Sequence, residues 1–270
     1  MNHIYINKVD GWRRVLWALY ILALLPLLAA CDHIDSGDEL IYVPQPPAKR
    51  VVLLEDYTGQ MCVNCPKGSE VIEQLLEAYP DNLIAVGIHS GPLGFKGNSR
   101  TMGLATELGD DYYNHWKLEY QPVGLVNRHG AVNYTDWIEA VKAEVLKDSY
   151  VEMFLSAVLQ DNQILIEVGE QSLRGGYYGK VQVWVLEDGI TASQKMPNGS
   201  TNPAYVHQHV LRAVVNGTCG DDLQVAEGMA KEQTYKFAVD PSWNKANLSV
   251  VAFVYNDQGV EQAIKAKVEY

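Results

Sequence analysis

The hydrophobic period of the chain changes once, near residue 149, and this change restricts the possible architectures more than any single motif. From 50 to 148, apolar runs of strand length alternate with segments of helical spacing. "RVVLLEDY" (50–57) and "NLIAVGIHS" (82–90) are continuous apolar runs, the pattern of strands covered on both faces. Between them Val71, Ile72, Leu75, Leu76 and Tyr79 recur at helical spacing, and Pro80 ends the run. A glycine-rich loop leads to a weaker helical segment at 101–118, a third strand pattern at 124–129 and an amphipathic helix at 134–148. From 149 to 270 the helical period disappears, and short β-prone runs follow one another between Gly, Asn and Asp. These patterns predict an α/β domain over 50–148 followed by an all-β sandwich-like domain over 149–270.

Residues 1–30 have the form of an export signal. Lys8, Arg13 and Arg14 precede an apolar segment at 15–30, shorter than the roughly 20 residues a bilayer-spanning helix needs. "LAAC" (28–31) matches the site at which bacterial lipoprotein signals are cut, so Cys31 becomes the first mature residue and carries acyl chains into a lipid bilayer. Residues 31–49 are acidic and then proline-bearing, as suits a tether. The formal net charge is −12 and becomes more negative once 1–30 is removed. Such a surface repels phosphate backbones, which excludes nucleic acid as a partner. No phosphate-binding loop or serine-nucleophile pattern is present.

With Cys31 acylated, Cys62, Cys65 and Cys219 remain. Cys219 has no nearby mate and is expected as a small buried hydrophobe. A zinc site normally takes four Cys or His ligands, whereas this chain has one C-x-x-C and scattered His89, His115 and His129. Neither a metal nor another cofactor is therefore expected. Cys62 and Cys65 sit where a strand gives way to a helix, and Pro66 suits a first helical turn. Unpaired N–H groups at a helix start favour a thiolate. In that role Cys62 is the attacking sulfur and Cys65 the resolving one. A passive disulfide is the other use of the pair. His207 and His209 lie two apart in a β-run and would share one face, as a ligand pair or as packing beside aromatics. Residues 189–205 are expected as a long polar loop, either a contact surface or flexible filler.

The order strand, C-x-x-C, helix, strand, helix, then "EYQPVGLVNRHG" (119–130) resembles the thioredoxin fold. That resemblance implies a cis bond at Pro122 facing the cysteines. It also implies a buried carboxylate, six residues before the first cysteine, that accepts the resolving thiol's proton. Asp56 has this spacing, with Glu55 beside it, and strand alternation sends the two to opposite faces. Met61 and Val63-Asn64 stand where thioredoxins carry Trp and Gly-Pro.

Over most of the mature chain, "LLEDYTGQMCVNCPKG", "QPVGLVNR", the β-rich half with "HQHVLR" and the lipoprotein signal resemble the Omp28-related outer-membrane lipoproteins. That family joins a thioredoxin-like domain to a β-domain, and the resemblance implies an outer-membrane address. Two functions follow. One is a membrane-anchored thiol–disulfide oxidoreductase of the cell envelope, acting on envelope protein thiols and disulfides and recharged by an unidentified redox partner. Its site would be Cys62, Cys65, Pro122, Asp56 and Glu55. The other is a surface binding or adhesion lipoprotein whose disulfide never cycles.

Overall fold

The two continuous apolar runs form β2 (Val52–Thr58) and β3 (Leu83–His89), a parallel pair buried at every position. Coverage on both faces is why neither run alternates. Helix α1 (Cys65–Ala78) connects them, with Pro66 in its first turn. Cys65, Gly68, Ile72 and Leu75 make its buried stripe, and Ile72 and Leu75 each contribute about 1.5–3 kcal/mol by leaving water. Helix α2 (Glu107–His115) is capped by the Thr106 hydroxyl, which accepts from the Gly109 N–H. Antiparallel β4 (Val123–Val126) and β5 (Ala131–Asn133) extend the sheet beyond β2. Helix α3 (Trp137–Val145) packs onto β4. The Trp137 indole can lie against that strand because Gly124 has no Cβ to meet it.

The computed structural model describes residues 45–270. Pro44–Tyr270 forms one compact unit, while the signal segment 1–30, Cys31 and most of the tether at 31–49 lie outside the described residues. In the C-terminal half, β7 (Val151–Gln160), β8 (Gln163–Ser172) and β14 (Ala230–Ala238) make a three-stranded sheet in the order β14-β8-β7. A larger sheet takes in β9 (Tyr177–Glu187), β12 (Val210–Val214), β13 (Asp221–Val225), β15 (Leu248–Asn256) and β16 (Gly259–Lys267). Its order is β16-β15-β9-β12-β3-β2-β4-β5, with β13 also paired to β9. Two small pairs complete the described strands: β1 (Ala48–Lys49) with β6 (Asp148–Ser149), and β10 (Ile190–Lys195) with β11 (Thr201–His207).

This architecture corrects the expected α/β thioredoxin-like domain followed by a separate all-β sandwich-like domain. Strands dominate, and the nine-stranded sheet runs through both halves of the chain. The join is at β12, which pairs parallel with β3 on one side and antiparallel with β9 on the other. The physical reason is that β2, β3, β9 and β15 are all almost wholly buried. Strands covered on both faces can merge edge to edge into one sheet, and their sequence patterns do not name their pairing partners. The change of period at 149 therefore marks a change in connection, not a boundary between two separate folds.

Three large apolar clusters follow from this layout, with a small fourth of Leu104, Ile190, Ala192 and Val210. Between the three-stranded sheet and the larger one, Ile164, Ile166 and Val168 pack with Val183, Val250 and Ala252. A second cluster joins Leu53, Tyr57 and Val86 from the first half to Trp184, Val251 and Phe253 from the second. On the helix side, Leu54 packs with Ile72, Leu75, Trp137 and Val141. Alternate residues of β2 thus face different cores, as a strand requires.

Candidate functional site

Cys62 and Cys65 form a disulfide. The bridge sits where β2 leads into α1, and each cysteine is 1% exposed. The neighbours are the reverse: Met61 is 46% and Val63 42% exposed. The loop thus presents its apolar side chains to solvent and turns both sulfurs inward. Pro122 follows a cis peptide from Gln121. It packs against the first turn of α1 at Gly68, where a Cβ would touch its ring at 3.4 Å.

Hairpin β10–β11, in the stretch expected to be a loop, is pinned onto this bend. The Gln194 amide donates to the carbonyls of Cys62 (2.9 Å), Lys195 (3.0 Å) and Gly59 (3.3 Å). Lys195 N–H donates to the Gln60 carbonyl at 2.8 Å. Gln60 in turn donates to the Ser193 and Met102 carbonyls and accepts from Leu104 N–H. Gln121 binds the next turn, donating to the Thr58 and Ser90 carbonyls and accepting from Leu93 N–H. Three buried glutamines therefore hold the loops around the bridge. Together they satisfy the carbonyls of Gly59, Cys62, Ser90 and Met102, which lie outside the strands. Sequence reasoning missed all three. The available signal was an uncharged amide in an otherwise apolar or turn-rich stretch, as in "TGQMC".

The two candidate carboxylates separate as alternation predicts. Asp56 faces the helices and lines a small cavity, about 50 Å³ in volume, together with Cys65, Ser69, His89, Tyr205 and His207. One Asp56 oxygen has no hydrogen-bond partner, and burial pushes its pKa up to about 8. Glu55 faces the other core. It accepts from Arg128 Nε at 2.6 Å and from the Tyr57 hydroxyl at 2.9 Å. The Arg128 guanidinium lies over the rings of Tyr255 (4.5 Å), Phe253 (4.7 Å), Trp116 (5.5 Å) and Trp184 (5.7 Å). Glu55 thus belongs to a buried ion pair within the first half, covered by rings of the second, and is on the face of β2 opposite Asp56.

His207 and His209 do not share a face. β11 ends at His207, and the backbone turns left-handed at His209 (φ 55°), whose ring goes to Asp188. His207 instead packs edge-on against His89, with ring centroids 5.0 Å apart. Both rings are buried, and each has a nitrogen without a partner. Burial, then the neighbouring His207 and Arg212, hold His89 well below the usual histidine range. Burial brings His207 down to about 4. Among the described residues, no group of three or more His, Cys, Asp or Glu could hold a metal ion. Cys219, expected to be buried, is exposed because it lies in the Gly217–Gly220 turn.

Residues 109–270 match the family model described as "Outer membrane protein Omp28". Among solved structures, the chain is similar to HBP35 of Porphyromonas gingivalis at 17% identity and a TM-score of 0.65, over 83% of this chain and 77% of that one. It is similar to an Agrobacterium tumefaciens protein at 16% identity and a TM-score of 0.50, over 82% and 95%. At these identities the likeness is one of fold. A domain of the outer membrane lipoprotein Omp28 from Porphyromonas gingivalis is 28% identical over 45% of this chain and 89% of that one, with a TM-score of 0.33. No curated protein matches the chain. The family match spans more than half of the sequence and carries the outer-membrane location that the resemblance implied: the chain belongs to the Omp28 family of outer membrane proteins.

Proposed function

We propose that the chain is a binding or adhesion lipoprotein of the outer membrane, anchored through Cys31, in which the Cys62–Cys65 bridge is a fixed strut. The observation that carries this reading is the burial of both sulfurs beneath hairpin β10–β11, with the Gln194 amide fastened to the Cys62 carbonyl. Thiol–disulfide exchange needs in-line access of a thiolate to one sulfur. With each cysteine 1% exposed, little of either residue is open to such an approach. Three apolar side chains at this end, Met61, Val63 and Met102, are exposed beside the polar Asn64 and Lys67 and suit contact with a partner surface. The strut would then hold the contact loop in one shape.

A second reading, thiol–disulfide exchange, draws on Asp56. A carboxyl with a pKa near 8 in the same cavity as Cys65 could accept the resolving thiol's proton once the hairpin moved aside. One experiment separates the two. Cys65→Ser, expressed in the envelope, leaves Cys62 able to attack but unable to be released. Under the binding reading, non-reducing gels show no mixed disulfides, and adherence to the partner surface persists. Accumulation of adducts through Cys62 would establish exchange instead.

A further inference from the structure

The three-stranded sheet has two outer edges, and they are treated differently. The β7 edge is partly covered by the end of the chain: Leu159 N–H donates to the Glu269 carbonyl at 2.7 Å, and Glu269 N–H to the Ala157 carbonyl at 2.9 Å. On the other side, no described strand pairs with the outer edge of β14. β14 runs for nine residues in unbroken register with β8, from Ala230 opposite Gln171 to Ala238 opposite Gln163. It has no bulge and no proline, the usual devices that blunt an exposed edge.

The sequence of this edge is self-complementary. Its exposed face carries Ala230, Glu232, Thr234, Lys236 and Ala238. Two copies laid antiparallel about a two-fold axis through Thr234 place Ala230 opposite Ala238, and Glu232 opposite Lys236, twice over. On the half-buried face Gln233 then meets Tyr235. A lysine on an edge strand normally repels an incoming strand, but in this register each lysine meets a glutamate. Sliding by two residues in either direction, which keeps the same faces together, puts both charges opposite alanine or threonine. Sliding by four sets Lys236 against Lys236 or Glu232 against Glu232. Charge therefore selects one register.

We propose that β14 is a homodimerisation edge, pairing with β14 of a second copy of this chain about a two-fold axis at Thr234, so that two three-stranded sheets join into one. An isologous contact of this kind closes on itself and does not propagate into a fibre. Anchoring both copies in one membrane raises their effective concentration, so a modest edge contact is sufficient. This assignment is independent of what the disulfide does.

The test uses the full-length lipoprotein in intact cells. Thr234→Cys, in a Cys219→Ser background, brings two cysteines together across the two-fold axis and should give a disulfide-linked dimer on non-reducing gels. Adding Lys236→Glu replaces both attractive pairs with repulsive ones and should lower the cross-linked fraction about tenfold. Adding Glu232→Lys as well restores the charge pairs in swapped order and should restore the dimer. The proposal is overturned if Thr234→Cys gives no dimer, if Lys236→Glu leaves the yield unchanged, or if the charge-swapped chain fails to recover.

Discussion

Replacing Asp56 by Asn tests whether the cavity beside the bridge is dry. The carboxyl is buried, one oxygen lacks a partner, and its pKa rises from 3.8 to about 8. In the unfolded chain the same group ionises near its ordinary value, so between these limits unfolding releases a proton. The contribution of Asp56 to stability is therefore fully present below about pH 4, declines as pH rises, and levels off above about pH 8. Each pH step in that window is worth about 1.4 kcal/mol, so the loss reaches roughly 4 kcal/mol at neutral pH. Asparagine cannot ionise. Its amide buries new N–H donors, a loss of about 1–3 kcal/mol that does not depend on pH. The difference between the two proteins thus isolates the carboxyl. Asp56→Asn should gain about 3–4 kcal/mol relative to the parent between pH 5 and pH 8. Urea unfolding of the oxidised protein, followed by the fluorescence of buried Trp137 and Trp184, measures this. A difference that stays flat over that range would refute the reasoning, because the carboxylate would then be ionised and hydrated in the fold.

Three further outcomes follow from the same geometry. Glu55→Gln leaves the Arg128 charge uncompensated among four rings and should cost about 3–5 kcal/mol in urea unfolding. His207 is neutral in the fold with a pKa near 4, below the ordinary 6.5, so its contribution is intact above pH 6.5 and is lost as pH falls towards 4. His207→Phe should therefore flatten the acid limb of the stability curve by about 3 kcal/mol. Gln194→Ala removes three hydrogen bonds that fasten the hairpin over the bridge. A phosphine reductant should then open the disulfide about tenfold faster at neutral pH, as followed by thiol alkylation.

Local features were the ones legible in the chain itself. The helix after the cysteine pair begins at Cys65 and ends before Pro80, because its apolar stripe and its proline both act within a few residues. Glu55 and Asp56 had to part company, since adjacent strand residues point to opposite faces. What sequence could not convey was pairing over distance. β12 joins the two halves through a short parallel contact with β3 at Val210 and Gly87, and nothing in "HVLRAVV" names that partner. Residues 189–205 lack an apolar run, so they were expected as a loop. Their strand pairing is held by backbone bonds and by the amide of Gln194, neither of which leaves a hydrophobic period. The cover over the disulfide, on which the functional reading turns, comes from this quiet stretch.

The reduction potential of the Cys62–Cys65 pair tests the central claim most directly. A bridge sealed under its own chain and serving as a strut should equilibrate only with strongly reducing buffers, at a potential below about −300 mV. A value near −200 mV or higher, reached rapidly with ordinary thiols, would mark the pair as a cycling dithiol and contradict the account.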